Sequence, residues 1–189
     1  MNNALNGALV NLEVVKARAR PGADAGLVAA FAAAAGEQME LTATLAGALV
    51  SLARAPRGGA DPARDLRDAV TLLAPAAAHD GVRLEVEGAR TIAAGGDPLA
   101  TRLAVVRALL AVAAAASTVE IAGAVPAHGA PRAVRCTIRD DDAGPSLELT
   151  PSFGAVLPDA VHRALARAGV RVQAGSEILR LALPAHDAP

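Results

Sequence analysis

The stretch that decides the fold is ALNGALVNLEVVKAR, residues 4–18, together with the longer apolar run at residues 25–53. In the first stretch the apolar side chains recur every three or four residues, at Leu5, Ala8, Leu9, Leu12 and Val15. This spacing predicts a helix with one buried stripe. The second run predicts another helix, whose stripe is clearest at Leu41, Leu45, Ala48, Leu49 and Leu52.

The segment ARPGADAG separates these two helices. Pro21 and Gly22 are expected to end the first helix, and Asp24 is placed to cap the second. Two antiparallel helices with apolar stripes form a hairpin. Because a lone hairpin has too small a core, pairing with a second copy as a four-helix bundle is the simplest way to cover the stripes. The sequence therefore predicts a homodimer formed through residues 1–55.

The composition of the whole chain excludes several classes of protein. The 189 residues are 53% hydrophobic and 1% aromatic, with a formal net charge of −1. Near-neutral charge without a basic stripe argues against nucleic acid as a partner. The single cysteine, Cys136, permits no internal disulfide and fits a reducing compartment. No uncharged apolar run reaches the roughly 18 residues of a membrane span, and the first residues lack the pattern of a signal peptide. We expect a cytoplasmic protein without a membrane span.

The segment APRGGADP at residues 55–62 is rich in Pro and Gly, which predicts a linker and a domain boundary. Beyond it, residues 62–184 are expected to form a mixed domain. Its predicted elements are a helix at 65–78 with Asp61 or Asp65 near its start, strands at 82–88, 117–125 and 133–141, a deeply buried helix at 98–116, a helix at 158–168, and a strand hairpin around Gly175. This order predicts an α+β fold with one antiparallel-rich sheet covered by helices on one face.

A helical hairpin, a short linker and an α/β sandwich in this order resemble the core of the two-component sensor histidine kinases. The family's phosphoacceptor box reads His, acidic, apolar, any residue, Asn or Thr, small or Pro, Leu. Met1-Asn2-Asn3-Ala4-Leu5 matches its last five positions. On that register the phosphorylated His would lie two places before Met1. Either the true start lies upstream or the protein lacks this His; both remain open, and no catalytic residue is assigned within the chain.

The resemblance also implies a nucleotide site, and its first motif is incomplete here. Gly96-Asp97 matches the pair that precedes the long helix of the family. The positions at which that helix supplies an Asn to Mg²⁺ fall on Arg107 and Ala111, and no Asn occurs after Asn11. Mg²⁺ is a hard cation that needs oxygen ligands, so we predict no metal.

The second nucleotide motif is incomplete as well. Asp142 and Gly144 retain the first two fixed positions of Asp-x-Gly-x-Gly, and we interpret them as relic positions. Where the glycine-rich lid should follow, Gly154 is the single glycine, and Pro151 and Pro158 remove two backbone donors that a phosphate cradle needs. We predict no cofactor and a degenerate ATPase-like domain, with weak residual nucleotide binding left open.

For function, the resemblance implies that a response-regulator receiver domain docks on the lower part of the hairpin. The outward face expected to make this contact consists of Asn3, Asn6, Val10, Glu13 and Val14. Phosphoryl transfer between His and Asp needs mainly positioning and Mg²⁺ carried by the receiver, so the protein would at most be a histidine phosphotransferase in a phosphorelay. Two alternatives stay open: a non-catalytic dimeric scaffold that sequesters a partner, and an active ATP-dependent histidine kinase.

Overall fold

The computed structural model of the chain describes residues 2–19, 24–56, 58–118, 132–142 and 144–186, with side chains from residue 6 onward. The chain divides into two compact units, Met1–Val50 and Ser51–Pro189. Within the described residues, the first unit is a pair of helices and the second combines helices with a five-stranded sheet. The predicted α+β class, a helical hairpin followed by an α/β sandwich, is confirmed.

The hairpin consists of α1 (Asn2–Arg18) and α2 (Ala25–Ala53). Asp24 caps α2 as predicted, because its Oδ1 accepts the backbone N–H groups of two residues in the first turn, at 2.9 and 3.3 Å. The predicted helix breakers at 21–22 lie outside the described residues. Both helices have the lengths that the apolar periodicity indicates.

The second unit begins with the last residues of α2 and then carries eight elements within the described residues. They are α3 (Pro62–His79), β1 (Val82–Gly88), α4 (Pro98–Thr118), β2 (Arg132–Asp141), β3 (Gly144–Thr150), α5 (Asp159–Arg167), β4 (Arg171–Ala174) and β5 (Leu179–Ala182). Of the two acidic residues expected near the start of α3, Asp61 is the cap, because its Oδ1 accepts the N–H of Arg64 at 3.2 Å. Asp65 is buried instead.

The described strands form one sheet in the order β1-β2-β3-β5-β4, in which only the β1–β2 pair is parallel. The predicted antiparallel-rich sheet is thus confirmed. One face is apolar: across the sheet, Val86 lies beside Cys136, which in turn lies beside Leu149, and Leu149 lies beside Leu179. The opposite face carries charged side chains: Arg83, Glu85, Glu87, Arg135, Arg139, Glu148 and Arg180. Such two-sidedness is typical of a sheet covered on one face only.

The core of the second unit joins the apolar face of the sheet to α3, α4 and α5. Seven residues of α4 are buried, among them Ala108 and Leu109, which are 0% exposed. The expectation that the whole of α4 is deeply buried is wrong for one side, where Leu99, Leu103 and Leu110 are 44–52% exposed. A helix lying on a sheet turns only part of its surface to that sheet. By length and composition alone α4 could cross a membrane, and 39% of its apolar window is buried within the described residues.

Residues 144–150 form β3, which the sequence interpretation did not include. Asp141 and Gly144 stand opposite each other in the ladder, so the chain reverses between them and β3 returns antiparallel to β2. Leu147 and Leu149 then reach the core at 1% exposure. The apolar alternation of this strand was obscured because Gly144 and its neighbours were assigned to a nucleotide motif.

The strand expected at 117–125 is wrong at its beginning. α4 continues through Ser117 and Thr118, whose hydroxyls donate to the carbonyl oxygen of Ala114 at 2.8 and 3.2 Å. The Thr118 hydroxyl also donates to the carbonyl oxygen of Ala115 at 3.0 Å, which is among the last four carbonyls of the helix, where intrahelical partners run out. The remainder of the predicted strand, residues 119–125, lies outside the described residues.

Candidate functional site

The residues expected to contact a receiver domain share one face of α1. Asn6, Val10 and Glu13 are exposed, Val10 by 62%, and Val14 is half-buried. Their spacing of four, three and one residues keeps them on one side of a helix. Asn3 lies in the first turn of α1, and its side chain is outside the description. The described part of this face therefore combines a polar amide, a carboxylate and two β-branched apolar side chains.

The carboxylate of this face makes one local ion pair. Lys16 Nζ lies 2.9 Å from Glu13 Oε1, and the two side chains are 71% and 60% exposed. Exposed pairs of this kind contribute about 0–1 kcal/mol. Glu13 can therefore be changed with little effect on the stability of α1, which makes it a suitable position for probing partner contacts.

The hairpin buries few of its apolar side chains by itself. Among the described residues of the first unit, the buried ones are Ala8, Ala35, Leu45 and Ala48. Its large apolar side chains with the greatest exposure, 37–62%, are Leu9, Val10, Leu27, Met39, Leu41, Leu49 and Val50. Apolar exposure of this kind is typical of helices that bind a further helix.

The Gly-Asp pair before α4 has a structural role that involves no nucleotide. Asp97 Oδ1 accepts the backbone N–H groups of Leu99 at 2.8 Å and Ala100 at 3.1 Å, which caps the helix. Gly96 has φ +82°, and a Cβ at this position would lie 2.6 Å from the carbonyl oxygen of Ala168. Only glycine fits so close to the end of α5. This pair can thus be explained by capping and packing alone.

Two positions of α4 correspond to the Mg²⁺-binding amide of the resemblance. Arg107 is exposed and Ala111 is half-buried. Neither side chain has an oxygen atom, and Mg²⁺ requires oxygen ligands. Across the described ranges, no group of three or more His, Cys, Asp or Glu side chains is arranged to hold a metal ion.

The two relic positions, Asp142 and Gly144, lie at the turn between β2 and β3. Asp142 is exposed, as are Asp140 and Asp141 before it. Gly144 has φ +94°, with open space where a Cβ would stand. A residue with a side chain rarely adopts this backbone conformation, so the glycine permits the tight reversal of the chain. The structure thus gives these positions the geometry of a solvated hairpin turn.

The segment 151–158 stands where the resemblance expects a glycine-rich lid, and a buried serine fastens it to the turn between β4 and β5. Ser152 is 1% exposed. Its Oγ lies 2.7 Å from the carbonyl oxygen of Gly175 and 2.9 Å from that of Ser176, so the hydroxyl donates to this pair of acceptors. A buried hydroxyl that is satisfied in this way fixes the local backbone.

The backbone N–H groups of the same segment are directed to carbonyl oxygens of the chain. The N–H groups of Ser152, Gly154 and Ala155 donate at 2.9, 3.3 and 2.9 Å. Pro151 and Pro158 carry no N–H. A phosphate cradle needs successive N–H groups that are free to turn toward an anion. At five of its eight positions, this segment therefore has no free backbone N–H group for a phosphate.

An ion pair inside the second unit was missed by the sequence interpretation. Arg102 Nε lies 2.8 Å from Asp65 Oδ1, and their side chains are only 12% and 5% exposed. Burial raises the pKa of Asp65, and the nearby charge of Arg102 opposes this shift. The indication in the sequence was Arg102, one of two arginines on an otherwise apolar helix, since a buried charge requires a partner.

No protein-family model matches the chain, and no curated protein does. Among solved structures, the cytoplasmic segment of histidine kinase QseC is similar over 77% of this chain and 94% of its own, with 18% identity and a TM-score of 0.45. A bacterial phosphotransferase is similar over 95% and 87%, with 13% identity and a TM-score of 0.45. The Acinetobacter baumannii histidine kinase AdeS is similar over 98% and 97%, with 12% identity and a TM-score of 0.43.

Proposed function

We propose that this chain is a dimeric receiver-docking protein of two-component signalling that does not use ATP. In this proposal residues 1–55 form the dimerisation and docking domain, and residues 62–184 form a degenerate ATPase-like domain. The observation that carries it is the bonding of the segment 151–158, where the resemblance calls for a mobile, glycine-rich phosphate lid.

Two independent deficits disfavour the binding of ATP. A triphosphate needs backbone donors, and the N–H groups of Ser152, Gly154 and Ala155 already donate to carbonyls within the chain. It also needs Mg²⁺, and Arg107 and Ala111 supply no oxygen ligand on α4. Binding would have to break at least three hydrogen bonds and expose the buried Ser152 hydroxyl, each at a cost of about 1 kcal/mol or more.

Residues of the first unit support docking. A helix face that pairs exposed valine with exposed polar groups suits a transient protein contact, in which apolar anchors are surrounded by a polar rim. The apolar exposure of the hairpin as a whole supports pairing with a second copy. In such a dimer, transfer between His and Asp would require only positioning, with Mg²⁺ brought by the receiver. Such transfer would require a His upstream of Met1, because no phosphoacceptor is assigned within the chain; a protein that lacks this His would dock a receiver without transfer.

Nucleotide use is tested by isothermal titration of the full chain with ATP and Mg²⁺. We expect no heat of binding at micromolar ATP. A micromolar Kd would contradict the proposal and favour the active kinase. Asp142→Ala is the matched variant, because heat that disappears in it would come from the relic site and heat that persists would come from elsewhere on the protein.

Docking is tested by titrating the chain with each receiver domain encoded in the same genome, using fluorescence anisotropy. Val10→Asp and Glu13→Lys should each raise the Kd of the receiver about tenfold or more, since contacts at the centre of an interface commonly contribute over 1 kcal/mol. Val156→Asp, at a position 85% exposed in the second unit, is the control. Equal affinity of all variants would show that α1 is not the docking surface.

The scaffold alternative shares the dimer and differs in chemistry. It is favoured if the chain, extended upstream of Met1, binds a phosphorylated receiver and accepts no phosphate from it. A phosphotransferase acquires an acid-labile phosphate under the same conditions. The exposed apolar side chains of the hairpin support both functions equally, so this transfer assay decides between them.

A further inference from the structure

The last turn of α2 ends without the usual means of satisfying its carbonyl groups. The final four C=O groups of a helix have no partner within the helix, and glycine or a basic residue nearby commonly satisfies them. The last turn of α2 contains no basic residue, and the residues after Ala53 read Arg54, Ala55 and Pro56. Although the basic residue Arg54 follows the helix directly, its side chain is exposed, and the side chain that reaches the carbonyls at this end comes from elsewhere in the fold.

Arg102 of α4 supplies that donor. Its Nη1 donates to the carbonyl oxygen of Leu52 at 3.0 Å and to that of Arg54 at 2.5 Å. The cationic guanidinium also faces the end of α2 that carries the negative pole of the helix dipole. All of these residues belong to the second unit. The side chain of Arg102 thus satisfies carbonyl groups at the end of a helix that lies far from it in the sequence.

The same guanidinium is held in place from the other side by Asp65 of α3, through the bond from Arg102 Nε described above. With the carboxylate 5% exposed, neither charge is well solvated alone. Removing one member of such a pair leaves the other buried without compensation. Asp65 therefore fixes the fork of Arg102 in the orientation that reaches the end of α2.

We propose that Asp65 and Arg102 form an electrostatic latch that keeps the last turn of α2 helical and attached to α3 and α4. α2 is continuous through the boundary between the two units at Val50 and Ser51. The latch consequently sets where the second helix of the hairpin ends and the linker begins. Opening it unwinds residues 52–56 while α3, α4 and the sheet stay folded.

Limited trypsin digestion of the full chain measures the unwinding of the end of α2. Trypsin cuts after the exposed Arg54, which lies just beyond the end of α2. Because a protease binds its substrate extended over several residues on both sides of the cut, cleavage there is faster when the end of α2 unwinds. Cleavage after Arg107, in the middle of α4, reports unfolding of the whole sandwich. The ratio of the two cleavage rates, followed by mass spectrometry, separates local opening from global instability.

In Arg102→Gln we expect this ratio to rise roughly tenfold to a hundredfold, because charge-assisted hydrogen bonds to the helix end are lost. Arg139→Gln is the matched control, since it removes an arginine that pairs with Glu148 at 3.0 Å on the charged face of the sheet. There the ratio should stay at its wild-type value. An unchanged ratio in Arg102→Gln, or an equal rise in the control, overturns the latch.

A double variant keeps the test valid if Arg102→Gln is unstable. Replacing a buried ion pair by apolar residues of similar volume is often neutral for folding, so Asp65→Leu with Arg102→Met should restore thermal stability. It cannot restore the bonds to the carbonyls of Leu52 and Arg54, so the cleavage ratio should remain raised. A ratio that returns to the wild-type value together with stability would show that the pair only stabilises the sandwich, and the latch would be wrong.

Discussion

Leu49 on α2 offers a quantitative test of whether the hairpin pairs with its own copy. Its side chain is 48% exposed. Full burial of a Leu side chain contributes about 1.5–3 kcal/mol, so covering the exposed half contributes about 1 kcal/mol. A two-fold dimer contains this residue twice. Leu49→Ala is therefore expected to weaken association by about 2 kcal/mol, a rise in dimer Kd of about 30-fold. Because Ala is the best helix former, α2 should remain helical.

Sedimentation equilibrium across a dilution series measures this Kd, and circular dichroism at each concentration checks the helix content. Val156→Ala is the control, because Val156 is 85% exposed outside the helices and should leave the Kd unchanged. A wild-type chain that is monomeric throughout the micromolar range would refute the dimer. A dimer whose Kd is the same in Leu49→Ala would show that the copies pair through another surface.

The remaining predictions concern the second unit. Leu109→Ala should lower the free energy of unfolding by about 2–5 kcal/mol, whereas the neighbouring Leu110→Ala, at a position 44% exposed, should cost under about 1 kcal/mol in urea titrations. Ser152→Ala should cost about 1–2 kcal/mol and speed amide exchange at Gly154, and similar exchange rates in both proteins would contradict the fastening of this segment. Burial raises the pKa of Cys136 from 9.0 to about 12, so the folded state holds this proton more tightly than the unfolded state, and stability should fall as pH rises through that window. In urea titrations on either side of pH 9, the free energy of unfolding of Cys136→Ala should fall less steeply with pH than that of the wild type. An equally steep fall in both proteins would contradict the raised pKa of Cys136.

Local patterns were sufficient to predict the helices and the first strand. The helix expected at 25–53 is α2, and the strand expected at 82–88 is β1. In both cases the periodicity of apolar residues coincides with a clear boundary: Asp24 caps α2, and Gly81 precedes β1. Such features depend on neighbours within a few residues, so they can be deduced from the sequence alone.

Features that depend on distant partners could not be deduced in this way. β3 is defined by its pairing with β2 and β5, and its first residues, Gly144 and Pro145, look like a loop in isolation. The role of Asp65 depends on Arg102, 37 residues away, and nothing local distinguishes it from a second capping residue. For the docking face, the helical spacing is enough to predict that its residues share one side of α1. The partner that binds there depends on contacts with a second molecule, which the sequence of this chain does not contain.

The position of β5 inside the sheet has a consequence for biosynthesis. β5 lies between β3 and β4, although it follows both in the chain. During translation, β3 therefore leaves the ribosome before the strand that will cover its second edge exists. An unpaired edge of this kind is a template for pairing with other chains. The nascent sandwich thus passes through a stage with β3 open, in which Leu147 and Leu149 have not yet met Leu181 and Leu179, and a chaperone that binds apolar strands would find its target there.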